Sequence, residues 1–237
     1  MQQLTLGDII VDVEIKDIKN LHLSVLPPIG KVRIAAPMRM NMDTIRIYAL
    51  SKLSWIKQQQ TKFNKAVRES SKDYIYKEGH FFLGKRYLLH IYEAEQKPYI
   101  NLKHNTLHLT VRPGASTEKK EQIINEWYRK ELRTLAIPII SKYESIMNVK
   151  VNDFGIKSMK TKWGTCNTDV GRIWINLELA KKPLQCIEYI IVHEMVHLME
   201  RSHNKRFQSL MNQFLPDWKH HKNILNQLPV SHRDWQY

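Results

Sequence analysis

The chain has 237 residues, and its 37 lysines and arginines outnumber its 23 aspartates and glutamates, which gives a formal net charge of +14. Hydrophobic residues make up 43% of the chain, with only eight glycines and nine prolines, so long disorder and collagen-like repeats are excluded. Two cysteines cannot build a disulfide framework, and no apolar run approaches the ~18 residues that a membrane helix needs. We therefore predict a basic, cytoplasmic globular protein without a membrane span.

The first 112 residues are predicted to be rich in strands. Alternating apolar and polar residues predict four short strands, at 4–6, 9–15, 21–26 and 31–35. A turn is expected at residues 27–30, and apolar residues at helical spacing over 43–67 predict one long amphipathic helix. A second strand-rich stretch covers residues 74–111, where 99–103 is expected to pair with 106–110.

The remaining residues, 113–237, are predicted to be mainly helical. A helix is expected over residues 117–147, and Pro138 should kink or split it because proline removes a backbone donor. Two strands, at 151–158 and 172–177, are followed by three helices, at 184–200, 204–214 and 217–228. No internal repeat is visible in the sequence. These patterns predict an α+β fold in which a strand-rich region, 1–112, and a helical region, 113–237, form one intertwined unit.

The most informative motif is His193-Glu194-Met-Val-His197, within an apolar segment that predicts a buried helix. Residues four apart on a helix lie on one face, so the two imidazoles can occupy two corners of a zinc tetrahedron ~6 Å apart. Glu194 lies on the adjacent flank, where a carboxylate can exchange protons with a metal-activated water. The alternative is a core helix with hydrogen-bonded histidines, which would leave costly polar groups in an apolar setting.

His203 is the predicted third ligand. It follows the expected helix end, where Arg201 and Ser202 can turn the chain back toward the first two histidines. The separation of ten residues from His193 equals that in metzincin proteases, but Glu200 stands at the position of the metzincin glycine. Glu200 and Glu188 are the competing third ligands, since some zincins use glutamate.

Three further segments carry a resemblance to a known family. They read Lys162-Trp-Gly-Thr-Cys166, Ile175-Asn-Leu177 and Ser202-His-Asn-Lys-Arg-Phe207. With the His193–His197 motif, these segments resemble the bacterial YgjP-like metallopeptidase-domain family, a zincin group distantly akin to SprT-like and WLM proteases. A weaker, pattern-level similarity extends upstream, so the resemblance covers most of the chain.

The resemblance implies one zinc ion per chain, held by His193, His197 and His203, with Glu194 as the catalytic acid/base. It also implies a zincin-like C-terminal half that carries the metal-binding helix beside a small sheet. The sequence departs from the family pattern at Lys162, where arginine is usual, and at Thr165, where serine is usual. Lysine keeps the positive charge of arginine but lacks its bidentate geometry.

The residues around the strand at 172–177 are predicted to form a wall of the substrate cleft. Lys162 is a candidate anion contact, Trp163 a candidate platform and Asn176 a candidate polar contact. The alternative for Trp163 is a packing role in a tight turn. Cys166 and Cys186 are predicted to be small core residues rather than metal ligands.

The leading functional hypothesis is a zinc metallopeptidase that cleaves peptide bonds with a metal-activated water and Glu194 as general acid/base. A net charge of +14 also attracts anions, so a metal-dependent nucleotide pyrophosphatase that uses the same site is an alternative. A third hypothesis is a basic nucleic-acid-associated protein whose zinc is structural. The expected partners are accordingly a peptide or protein substrate, a nucleotide, or nucleic acid, and no membrane.

Overall fold

The computed structural model describes residues 2–26, 30–65, 72–159 and 162–228, without the side chains of residues 62–65. The predicted turn at 27–30 lies mostly outside these residues. The described residues fall into two compact units, within residues 2–65 and within residues 72–228. The strands of residues 79–111 therefore group with the C-terminal residues, whereas the sequence analysis assigned them to an N-terminal region ending at residue 112.

The first unit is a four-stranded sheet followed by two helices. Its strands are β1 (Gln2–Leu6), β2 (Ile9–Lys16), β3 (His22–Leu26) and β4 (Lys31–Pro37), and its helices are α1 (Met42–Ser51) and α2 (Leu53–Lys65). The strand order is β1-β2-β4-β3, with β2 and β4 parallel and the other pairs antiparallel. One face of the sheet buries Val11, Val13, Val32 and Ile34 with Ile45 and Ile56 of the helices.

The single helix predicted over residues 43–67 is therefore divided. The helical ladder is interrupted at Lys52, whose N–H donates to the carbonyl of Ala49 over 3.1 Å in a tighter turn. Neither glycine nor proline stands at this point, so the sequence carried no stop signal there.

The second unit contains two sheets and four helices in its described residues. Its strands are β5 (Gly79–Phe82), β6 (Lys85–Glu93), β7 (Tyr99–Lys103), β8 (Thr106–Val111), β9 (Asp153–Lys157), β10 (Gly164–Asn167) and β11 (Arg172–Asn176). Its helices are α3 (Thr117–Met147), α4 (Leu184–Val196), α5 (Lys205–Phe214) and α6 (Trp218–Gln227), with a 3₁₀ turn at Leu177–Lys181. The described part of the chain is thus a mixed α+β structure, which is the predicted fold class, and it has six α-helices and three small sheets.

The sheet of β5 to β8 repeats the topology of the first unit. Its order is β5-β6-β8-β7, again with a parallel central pair between two antiparallel edges, and a helix again follows the last strand. In both sheets the first hairpin turns at a glycine with positive φ, Gly7 at +60° and Gly84 at +79°. The internal repeat missed in the sequence is therefore a repeat of strand order and strand direction.

Helix α3 runs without a break through Pro138. Its buried stripe, from Ile124 to Met147, recurs every three or four residues along the whole helix, while Pro138 lies on the exposed side. The expected split does not occur, because packing on both sides of Pro138 holds the two halves to the same core.

The third sheet supports the helix that carries the metal-binding motif. Its order is β10-β11-β9, and the sequence analysis missed the short strand β10. Helix α4 packs against β10 and β11 and buries Ile187, Ile191 and Val192 in the core of the second unit. Within the described residues, no helix has the length and apolar character required to cross a bilayer.

Candidate metal centre and cleft

Three histidine side chains meet at the end of helix α4. The helix ends at Val196, so His193 projects from its last turn and His197 caps it. The chain then turns back through residues 198–203 and brings His203 to the same place. One nitrogen from each imidazole lies within 4.8 Å of the other two, and the Nε2 atoms of His193 and His203 are 2.9 Å apart.

The turn that returns His203 is held by local hydrogen bonds. The N–H of Glu200 donates to the carbonyl of Val196 over 2.9 Å, and the N–H of Ser202 donates to the Glu200 carboxylate over 3.2 Å. Asn204 then caps helix α5 by accepting from the N–H of Phe207 over 3.0 Å. These bonds replace the glycine turn of the metzincin pattern.

The two competing ligands are engaged elsewhere. The Glu188 carboxylate accepts hydrogen bonds from Lys142 Nζ and Tyr143 Oη, each over 2.9 Å. The Glu200 carboxylate accepts from the N–H of Ser202 and lies 4.0 Å from the guanidinium of Arg206. Neither carboxylate belongs to the histidine cluster.

Burial keeps the imidazoles of His193 and His197 neutral. Burial lowers the pKa of His193 to about 3, helped by the nearby His197, His203 and Lys222. Burial also lowers the pKa of His197. The Nδ1 atom of His197 donates to the carbonyl of Glu200 over 3.1 Å, which leaves Nε2 as a free lone pair.

This donor set fits a divalent metal ion. Two nitrogens bound to one tetrahedral zinc lie about 3.4 Å apart, which falls between the 2.9 Å from His193 to His203 and the 4.8 Å limit for the whole cluster. Among the described residues, no group forms a hydrogen bond with the buried Nδ1 of His193, so these residues do not fully satisfy this imidazole. Neutral imidazoles with convergent lone pairs are ligands that zinc and other first-row ions accept.

Glu194 lies beside the histidines and is nearly sealed from solvent. Glu194 is only 6% exposed. Burial raises the pKa of its carboxyl group to about 7, although the positive charge of Lys162 acts in the opposite direction. Gly164 on β10 approaches it so closely that a β-carbon there would lie 2.7 Å from Glu194 Oε1. A carboxylate of this kind can accept and release a proton near neutral pH.

A cleft of about 790 Å³ opens over the histidines and Glu194. One wall comes from residues 162–168, and the other comes from helices α4, α5 and α6. Lys162, Arg201 and Lys222 line it, and Glu194 is the one carboxylate among its lining residues in the described chain. Arg201 also forms an ion pair with Asp169.

The predicted substrate contacts divide into two groups. Lys162, which is exposed, and Trp163, which is half-buried, both line the cleft. Asn176 does not line it: its amide donates to the carbonyls of Met159 and Lys162, each over 2.8 Å, and its oxygen accepts from two backbone N–H groups. Asn176 therefore anchors the segment before Trp163. Its predicted role was a polar contact with substrate.

Neither cysteine belongs to the histidine cluster. Cys166 lines the cleft and is half-buried, and burial raises the pKa of its thiol to about 11, with a further contribution from Glu194. Cys186 is buried, and its thiol lies 3.8 Å from the carbonyl of His221.

Sequence reasoning missed three residues that shape the site. Gly164 makes room for the Glu194 carboxylate, as described above. Phe207 is 2% exposed, and its ring centroid lies 4.9, 4.8 and 4.7 Å from those of His193, His197 and His203. Tyr189 lines the cleft with its ring 5.8 Å from His193 and stacked on Trp218. Tyr189 stands one helical turn before His193, and this spacing was the available signal.

Comparison with known proteins gives one extensive match. The YgjP-like metallopeptidase-domain model matches residues 19–228. No curated protein is detectably similar in sequence to the chain.

Two solved structures of metallopeptidase zymogens are similar to parts of the chain. Abylysin of Pyrococcus abyssi is 16% identical, over 38% of this chain and 90% of that chain, with a TM-score of 0.36. Jannalysin of Methanocaldococcus jannaschii is 18% identical, over 39% of this chain and 94% of that chain, with a TM-score of 0.35.

Proposed function

Because the chain belongs to the YgjP-like metallopeptidase-domain family, we propose that it is a zinc-dependent peptidase. In this proposal His193, His197 and His203 hold one zinc ion, and Glu194 is the general acid/base. The observation that carries the proposal is the meeting of three imidazoles and one buried carboxylate in the floor of an open cleft.

The zinc ion, when bound, supplies Lewis-acid chemistry that polarises a carbonyl group and lowers the pKa of water. Glu194 accepts the proton of the attacking water and passes it to the departing amine. Its burial and its contact with Gly164 hold the carboxylate in one place for both transfers. The Phe207 ring packs against all three imidazoles, which restricts the orientations of their rings.

The cleft residues suggest how a peptide is held. Trp163 offers a half-buried ring on the wall formed by residues 162–168, and Lys162 places a positive charge near Glu194. A volume of about 790 Å³ suits a segment of several residues better than a single amino acid. Asn176 contributes by anchoring the backbone at Met159 and Lys162.

Nucleotide hydrolysis is the second candidate, and the cations of the cleft favour it. Lys162, Arg201 and Lys222 surround the same site and would attract a triphosphate as well as an acidic peptide. A structural zinc would need a fourth protein ligand, and within the described residues the cluster contains three. A cytoplasmic location stays a prediction, based on the two unpaired cysteines.

One experiment tests the proposal and separates the candidates. The purified chain is analysed for zinc and then assayed with a quenched-fluorescence peptide library and with the four nucleoside triphosphates. We expect about one zinc per chain and cleavage of peptides. Glu194→Gln should retain zinc and lose at least about 10²-fold in kcat.

Glu188→Gln is the matched control, because it makes the same change on the same helix, away from the cleft. Activity of a zinc-loaded Glu194→Gln protein would refute the role of Glu194. Release of pyrophosphate without any peptide cleavage would refute the peptidase proposal and support nucleotide hydrolysis.

A further inference from the structure

The two sheets of equal topology differ in their outer faces. In the first unit that face is covered by ion pairs. Lys31 binds Asp12 over 2.7 Å, Lys16 binds Glu14 over 3.0 Å, and Arg33 also pairs with Glu14. Such a face is an ordinary solvated surface whose charges satisfy one another.

The corresponding face of the second sheet carries a row of rings. His90 on β6 and His108 on β8 are direct neighbours in the parallel register, with ring centroids 5.4 Å apart. Tyr76 continues the row on one side, 4.7 Å from His90, and Tyr92 ends it on the other, stacked on His108 at 5.3 Å. Four rings from three separate segments thus form one continuous row.

The tyrosines of this face are open to solvent. Tyr76 is 55% exposed, Tyr92 is 46% exposed and Tyr99, on β7, is 50% exposed. Tyr92 and Tyr99 flank Thr110 from the two neighbouring strands, which places them about 10 Å apart. Several exposed aromatic side chains on one face of a sheet are unusual for a surface without a partner.

The charge of the face has one sign. Its outward positions on the four strands contain two cations, Arg86 and Lys103, and no carboxylate. The guanidinium of Arg86 lies over Gly79, where a side chain would collide with it. Lys77 extends over the ring of Tyr76 at 5.7 Å.

We propose that this outer face of the β5–β8 sheet binds single-stranded nucleic acid. Exposed rings offer stacking surfaces to unpaired bases, and the flanking Lys77, Arg86 and Lys103 offer cations to the phosphates. A duplex keeps its bases stacked on each other and cannot use such rings. The cations on the sheet of the first unit are paired with carboxylates, and its described residues show no such row of rings, so the inference is specific to the second sheet. It does not depend on the proposed peptidase activity.

The proposal is tested by fluorescence anisotropy of the full chain with labelled 12-nucleotide oligo(dT) and oligo(rU) at several salt concentrations. We expect saturable binding of at least one oligonucleotide. Tyr92→Ala should weaken it about 5- to 150-fold, because the variant loses one base–aromatic stacking contact. Trp55→Ala is the matched control, because Trp55 is an exposed aromatic residue, 42% exposed, on a helix of the other unit.

A second pair of variants tests the electrostatic part. Lys103→Gln should weaken binding and make the negative slope of log K against log salt shallower by about 0.7, while Lys57→Gln on α2 should leave the slope unchanged. Circular dichroism of each variant shows that it is folded. Absence of binding to both oligonucleotides at 50 mM salt would overturn the proposal, and so would equal losses in Tyr92→Ala and Trp55→Ala.

Discussion

Gly164 lies directly against the carboxylate of Glu194. A β-carbon at position 164 would stand 2.7 Å from both Cγ and Oε1 of Glu194, closer than such atoms approach in folded proteins. The contact joins strand β10 to helix α4, so the wall of the cleft and the proposed acid/base are positioned by each other.

Gly164→Ala should therefore displace the Glu194 carboxylate. We expect kcat on a peptide substrate to fall at least tenfold, because proton transfer depends on sub-ångström placement of the acid/base. Zinc content should not change, since the three atoms nearest to the added β-carbon all belong to Glu194. Val170→Ala, an exposed change in the same hairpin, is the control. Full activity of Gly164→Ala would show that Glu194 tolerates movement and contradict the positioning role.

His203 is expected to be required for metal binding. His203→Ala should lower zinc affinity by several orders of magnitude, measured by competition with a chromophoric chelator, because it leaves two protein ligands. His220→Ala, an exposed histidine on α6, serves as the control and should bind zinc normally. Glu200→Gln and Glu188→Gln should also retain zinc. If His203→Ala binds zinc with full affinity and either glutamate variant loses zinc affinity, that glutamate and not His203 is the third ligand.

Phe207 is expected to tune the metal site through the three imidazoles that it supports. Phe207→Leu keeps the position apolar but removes the flat ring from beside the histidines. We expect a roughly tenfold loss of zinc affinity, typical of changes behind the ligands. Phe214→Leu makes the same substitution at the end of the same helix. Equal zinc affinities in the two variants would assign Phe207 to packing alone.

His80 predicts a pH dependence of stability away from the cleft. The residue is 3% exposed, and burial holds the pKa of its imidazole well below its ordinary value of 6.5, despite the Glu78 carboxylate 2.8 Å away. Below about pH 6.5, His80 is therefore protonated in the unfolded chain but stays neutral in the folded protein. Stability from His80 is present above that pH and decreases as the pH falls toward the folded value, by at most about 1.4 kcal/mol per pH unit.

Urea unfolding between pH 7.5 and 4.5 measures this effect. His80→Gln removes the titrating group and should flatten the decrease in the free energy of unfolding over that range. His22→Gln, on exposed β3, should leave the decrease as it is in the parent chain. Parallel curves for the parent and His80→Gln would contradict a neutral, buried His80.

Much of the secondary structure followed from the sequence because it depends on local spacing. The 31-residue helix Thr117–Met147 has the predicted limits, and most strands lie within two residues of their predicted positions. The errors occurred where long-range packing overrides local signals. Helix α3 continues through Pro138, the helix at 43–67 divides at Lys52, and strand β10 exists only through its pairing with β11.

The sequence by itself determined the chemistry of the proposed centre. Two histidines four residues apart must share a helix face, and a third histidine soon after the helix needs only one local turn to reach them. Tertiary structure decided everything that depends on residues distant in the chain. It placed Gly164 against Glu194 and turned Asn176 toward the backbone, and it collected Tyr76, His90, Tyr92 and His108 into one row. Such contacts arise from strand register and packing, which short-range spacing does not encode.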